Sequence, residues 1–222
     1  MKSQSDTNLG LIIKNLAVAL YVPGKDSDNS TYLGKGILLN DEGQVLTAGH
    51  IVHDRPINLG KIHYMGDQRV EVYDVVDMVE FLEANDLAII QTRFSKKNMR
   101  SQLRIPREFS YDVGVPLQLI DIEETSGYSQ LVTQDGRIIP NDDYDLPTPS
   151  KEEAFKTSHK VREGNSGDPL LNLENELVGV AIGAKGLNVN GVSTTYGYAQ
   201  CAKLTPLLEK LTIYLSMKIL PL

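Results

Sequence analysis

The chain has 222 residues, 41% of them hydrophobic and 23% charged, enough apolar material for one domain or two compact halves. A net charge of -7 argues against nucleic acid as a partner, because such binders carry a basic patch or stripe. No unbroken run of 18 apolar residues exists to cross a membrane as a helix. Cys201 is the sole cysteine, so no intrachain disulfide can form, and it reads as a buried core thiol. Lys14 and Asn15 interrupt the apolar N-terminal stretch and no clean small-residue cleavage site follows, so the expected location is cytoplasmic.

Eighteen glycines and ten prolines punctuate short Val/Ile/Leu/Tyr runs, which favours an all-β fold. In the first half strand-like runs fall at Leu16–Val22, Tyr32–Leu39 and Gln44–Thr47, the latter two joined by a tight hairpin at Asn40–Gly43. Val70–Val76 and Leu87–Gln91 follow. The basic run Arg93 to Arg104, with polar Ser95–Gln102 at its centre, reads as a solvated connector between halves.

The second half repeats the pattern at Val115–Asp121, Tyr128–Thr133, Arg137–Ile139, Leu170–Leu173, Leu177–Ile182 and Thr195–Ala199, with a second hairpin at Asn172–Glu176. Pro140 to Glu153 is polar and proline-rich, and is expected to be an exposed loop near the working face. Leucines and isoleucines at 204, 208, 211, 215 and 219 then set a helical period, with Thr205 and Pro206 at its start. That helix is expected to pack on the second half; docking of a partner or a second subunit is the alternative.

Ser166 lies in Gly-Asn-Ser-Gly-Asp-Pro, just before an apolar segment, and needs a base to become a nucleophile. Among four histidines, His50 follows a strand-like run and small residues that leave room for an imidazole at a strand end. His53 is either exposed or supporting, His63 lies in a mixed stretch without a convergent signal, and His159 is a pocket or surface residue. An acid must orient the imidazole, and Asp86, immediately before an apolar run, is the best placed of many carboxylates.

The segments "YLGKGILLNDEGQVLTAGHIV", "NDLAII" and "REGNSGDPLLNLENELVGVAIG" resemble, in that order, the signature segments of trypsin-like (chymotrypsin-fold) serine peptidases. They look closest to the disulfide-free bacterial HtrA-like and glutamyl-endopeptidase-like branches. The resemblance runs from about Leu16 to Ala199 and places the family's histidine on His50, its aspartate on Asp86 and its serine on Ser166. It implies two antiparallel β-barrels and a C-terminal helix in a single peptidase domain: a first barrel over 11–94, a connector over 95–112, a second barrel over 113–200 and a helix over 203–220. It also implies an acyl-enzyme mechanism with the Gly164 and Ser166 amides as oxyanion donors, and neither cofactor nor metal.

Two positions depart from the pattern. Asn165 replaces the aspartate that digestive members pair with a freed N-terminus, and Asp168 replaces the second glycine of the usual "GNSGGP". A carboxylate there is costly if buried unpaired, and near His50 it raises that residue's pKa. The substrate pocket is expected to draw on His159, Lys160, Arg162, Ile182 and Gly183. Lys160 with its basic neighbours favours an acidic side chain before the scissile bond; a small or aliphatic preference stays open. No room is expected after Ala199 for a separate peptide-binding domain, so selection would rest on loops, a regulatory protein partner or a homo-oligomer. The competing reading is a non-catalytic peptide-binding homologue. An α/β-hydrolase would run Ser, Asp, His along the chain, against His, Asp, Ser here.

Overall fold

Short apolar runs separated by turns pair as antiparallel strands and curl into two closed barrels. The computed structural model describes residues 16–23, 30–53, 61–66, 69–93, 103–125, 128–142, 149–189 and 192–211. The first barrel comprises β1 (Ala17–Pro23), β2 (Ser30–Leu38), β3 (Gln44–Ala48), β4 (Lys61–Gly66), β5 (Arg69–Leu82) and β6 (Leu87–Thr92), ordered β1-β2-β3-β6-β5-β4. The second comprises β7 (Pro116–Thr125), β8 (Tyr128–Ile139), β9 (Ala154–Val161), β10 (Pro169–Leu171), β11 (Leu177–Val189) and β12 (Val192–Lys203), ordered β10-β11-β12-β9-β8-β7. Pairing of β4 with β1 and of β7 with β10 closes each sheet on itself and removes its edges.

The core crosses from one barrel to the other. Leu38, Val45, Leu46, Ile89 and Ile90 pack in the same buried cluster as Leu171, Val180, Ile182 and Leu204. β3 is accordingly buried along its whole length, its polar Gln44 and Thr47 included. A smaller cluster of Leu117, Leu119, Phe155, Val178 and Cys201 fills the second barrel. Burial there pushes the Cys201 thiol pKa up, and the group acts as a small hydrophobe.

The two expected hairpins share one construction. Asn40 Oδ1 accepts the Glu42 and Gln44 amides at 3.1 and 3.2 Å, and Asn172 Oδ1 accepts those of Glu174 and Glu176 at 3.0 and 2.8 Å. In each, the residue three positions on takes the left-handed conformation: Gly43 at φ 82° and Asn175 at φ 65°. Both types tolerate that region, and the side chain satisfies amides that the turn leaves without ladder partners.

Elsewhere the strands depart from expectation. The runs at Tyr128–Thr133 and Arg137–Ile139 are one strand, β8, and β4 and β9 are additional. β12 extends through Lys203, where its pairing with Gly179 persists, so the helical segment opens later, with a 3-10 turn at Thr205–Leu207. Pro206 occupies its first positions, and helix follows through Leu211. Leu207 and Leu211 pack on the shared core. Leucines and isoleucines at 215 and 219, the connector at Ser95–Gln102 and positions 143–148 of the expected loop lie outside the described residues.

Candidate active site

Strand β3 ends at Ala48 and the chain tightens into a 3-10 turn, Gly49–Ile51, that carries His50 at the junction of the barrels. Gly49 is demanded by what it faces: a Cβ there would lie 2.6 Å from Phe81 and 3.0 Å from an Asp86 carboxyl oxygen. Opposite, the turn Glu83–Asn85 ends on Asp86 in the left-handed region, at φ 49° and ψ 47°. A non-glycine residue held so costs about 1–3 kcal/mol and persists only where its surroundings fix it. Here the Asp86 carbonyl accepts the Gly49 amide at 2.8 Å, and Oδ1 accepts the His50 amide at 2.7 Å.

The remaining oxygen, Oδ2, lies 2.7 Å from His50 Nδ1. A carboxylate accepts only, so the Nδ1 proton is donated to Asp86 and Nε2 is left as an acceptor. Ser166 Oγ lies 3.0 Å from that Nε2. The His50 side chain is 45% exposed and that of Asp86 12%, so the imidazole meets solvent while the acid behind it is shielded. The His53 ring packs on that of Phe81, with centroids 4.3 Å apart.

Ser166 sits between two glycines with positive φ, Gly164 at 92° and Gly167 at 94°. A Cβ on Gly164 would lie 2.8 Å from the Tyr32 ring, whose hydroxyl donates to the Gly164 carbonyl at 2.8 Å. The turn is also closed by Asn165, whose amide donates to the Arg162 carbonyl at 3.1 Å and whose Oδ1 accepts the Arg162 amide at 2.9 Å. Among the described residues, the Gly164 and Ser166 amides donate to no carbonyl or side chain. Two unengaged N–H groups beside a hydroxyl within hydrogen-bond distance of an imidazole can receive a developing oxyanion.

The residues expected to border a pocket are spread out. Lys160 and Arg162 are exposed, Ile182 is buried and Gly183 half-buried where β11 bulges between Ala181 and Gly183. His159 is only 2% exposed, and its ring lies inside the second barrel rather than on an open wall. Its Nδ1 is 2.8 Å from Thr157 Oγ1, Nε2 is 3.3 Å from the Leu117 carbonyl, and burial lowers its pKa.

Three contributors near the site escape the sequence reading: Tyr32, Lys35 and Asp121. Asp168 stands out in the sequence, but its partners do not. It is fully buried, near Lys35, and burial pushes its carboxyl pKa up to about 8, against the pull of Lys35. The available signal was a lysine inside an apolar strand, "GKGILL", paired with a carboxylate after "GNSG".

The family model described as Trypsin matches residues 16–205. The chain belongs to the trypsin family. A DegP-like periplasmic serine endoprotease from Marinomonas sp. (strain MWYL1) is 31% identical over 67% of this chain and 29% of its own length. Serine protease HTRA1 of Xenopus laevis is 26% identical over 66% of this chain and 30% of its own. The trypsin-family chain thus spans less than a third of the length of either relative. Among solved structures, the serine endoprotease from Yersinia pestis shares the fold at TM-score 0.65 and 17% identity, covering 97% of this chain and 68% of that one. The MamO protease domain from Magnetospirillum magneticum does so at TM-score 0.66 and 14% identity, covering 90% and 97%. The expected HtrA-like branch agrees with these relatives. The expected cytoplasmic location finds no support in them, since the DegP-like ones are named periplasmic. Among the described residues, no helix is long and apolar enough to cross a membrane.

Proposed function

We propose that this trypsin-family chain is a serine endopeptidase acting through an acyl-enzyme. His50 Nε2 takes the Ser166 proton as Oγ attacks the scissile carbonyl, and Asp86 stabilises the resulting imidazolium. The proton passes to the leaving amine, and water, activated by the same imidazole, releases the acyl group. The Gly164 and Ser166 amides hold the oxyanion. The observation that carries the reading is the unbroken line from Asp86 Oδ2 to His50 to Ser166 Oγ, at 2.7 and 3.0 Å, ending beside two unengaged amides.

Its substrates are proteins or peptides, and selection among particular proteins falls to the loops around Ser166, with the exposed Lys160 and Arg162 available on the segment that leads to it. Rapid digestion of unrelated denatured proteins would count against that selectivity. The chemistry is tested by rapid-mixing hydrolysis of an activated ester. A burst of leaving group stoichiometric with protein, absent in Ser166→Ala, supports the acyl-enzyme. Peptide binding without turnover in the native chain would support the non-catalytic homologue instead.

A further inference from the structure

We infer that Lys35 and Asp168, completed by Asp121, are positioning residues: an internal polar cluster, built on the Lys35–Asp121 ion pair, through which the first barrel holds the 162–168 loop in its working shape. The inference builds on the peptidase reading, but the geometry behind it is independent of that reading.

The contact begins in the backbone. The Lys35 amide donates to the Ser166 carbonyl at 2.8 Å. A Cβ on Gly34 would sit 2.7 Å from that carbonyl oxygen, and one on Gly167 would sit 1.8 Å from the Lys35 carbonyl oxygen. Glycine at both positions lets β2 lie directly against the nucleophile turn. The Lys35 side chain then enters the second barrel, where Nζ pairs with Asp121 Oδ1 on β7 and lies 3.2 Å from Asp168 Oδ1.

Asp168 passes this tie to the loop. Its Oδ2 accepts Asn165 Nδ2 at 2.6 Å, and Asn165 Oδ1 in turn holds the Arg162 amide. Asn165 stands between Gly164 and Ser166, so fixing its side chain fixes the peptide planes on either side. Lys35 and Asp121 are 3% exposed and Asp168 0%. Stability alone is a poor reason for such a cluster, because desolvation of the Lys35 and Asp121 charges costs several kcal/mol each and apolar replacements are often neutral or better. What the cluster supplies is a directional link between barrels, ending on the residue between the two amides. The titratable groups facing Asp168 are Lys35 from β2, Asp121 from β7 and the Cys201 thiol from β12.

The test compares the full native chain with Lys35→Met, Asp168→Ala and Asp168→Asn by hydrogen exchange and by the labelling rate of Ser166 with a fluorophosphonate. Amides of Asn165, Gly167 and Asp168 report directly, since each donates a backbone bond in the native loop. Asp168→Ala and Lys35→Met should speed exchange in this loop at least tenfold while β3 and β6 stay protected. Each should slow labelling by about 100-fold, the scale of one lost oxyanion donor. Asp168→Asn keeps the shape and an acceptor for Asn165, and should restore most of both. If Lys35→Met fails to fold, Asp168→Ala still leaves the Lys35–Asp121 pair intact and decides the matter. Unchanged loop exchange in folded Asp168→Ala, or Asp168→Asn as impaired as Asp168→Ala, overturns the inference. A native chain that never labels would instead refute the peptidase reading, and exchange would still judge the cluster.

Discussion

Asp86 grips His50 twice, accepting the ring Nδ1–H on one carboxyl oxygen and the backbone N–H on the other, both at 2.7 Å. The first contact sets the tautomer and the second sets where the residue begins. Asp86→Asn keeps the volume but presents a donor to Nδ1, favouring the wrong tautomer. It should lower kcat by about 10⁴-fold. Circular dichroism and steady-state kinetics on the same preparation check this; a loss explained by unfolding, or one under tenfold, would speak against the assigned role.

Gly164 is the position where backbone and neighbour both exclude a side chain. With φ at 92° and the Tyr32 ring 2.8 Å from a would-be Cβ, Gly164→Ala must move the turn. Its amide then leaves the place shared with that of Ser166, and kcat should fall by about 100-fold with KM little changed. An equal rise in KM would point to a binding defect instead.

Stability should fall as pH rises toward the range where buried Asp168 ionises. The carboxyl keeps its proton to about 8 in the folded chain, chiefly through burial, whereas the unfolded chain releases it in the ordinary carboxylate range. Folding therefore takes up a proton between those limits. The associated stability is fully present below the ordinary range and lost as pH climbs through about 8. His159 works on the other flank: burial lowers its pKa, so its contribution is present above the ordinary imidazole range and lost as pH falls below it. Urea midpoints of the native chain and Asp168→Asn from about pH 5 to about pH 9 test the first term. The advantage of Asp168→Asn should widen with pH and level off near the alkaline end; a constant difference would be inconsistent with a buried proton at Asp168.

The matched asparagine turns give a check on the fold alone. Asn40→Ala and Asn172→Ala each strand two turn amides, and each should cost about 1–2 kcal/mol. Lying in separate barrels without shared partners, the two losses should add in the double variant. Guanidinium unfolding measures this, and strong non-additivity would mean that the barrels do not carry these turns independently.

How much of this was legible depended on where chemistry and local structure coincided. His50 stands just after a strand, and Asp86 and Ser166 stand shortly before one, where the chain turns and a side chain can face a cleft. β9 carries no clear apolar alternation, because Thr157 and His159 occupy one buried face and Lys156, on the other, is buried as well. β8 read as two strands because "QDG" looks like a turn, yet Gly136 is there for space, with the His159 ring 2.6 Å from where its Cβ would be. Lys35 carries no local signal, because its partners lie 86 and 133 positions away. Local pattern found the reacting groups, and only the closed barrels brought the supporting charges together.

The central claim is an activated Ser166, and intact mass after exposure to a fluorophosphonate probe tests it most directly. A single adduct is expected on the native chain, none on Ser166→Ala and strongly slowed labelling of His50→Ala. No adduct on the native chain, or equal labelling of Ser166→Ala, would contradict it.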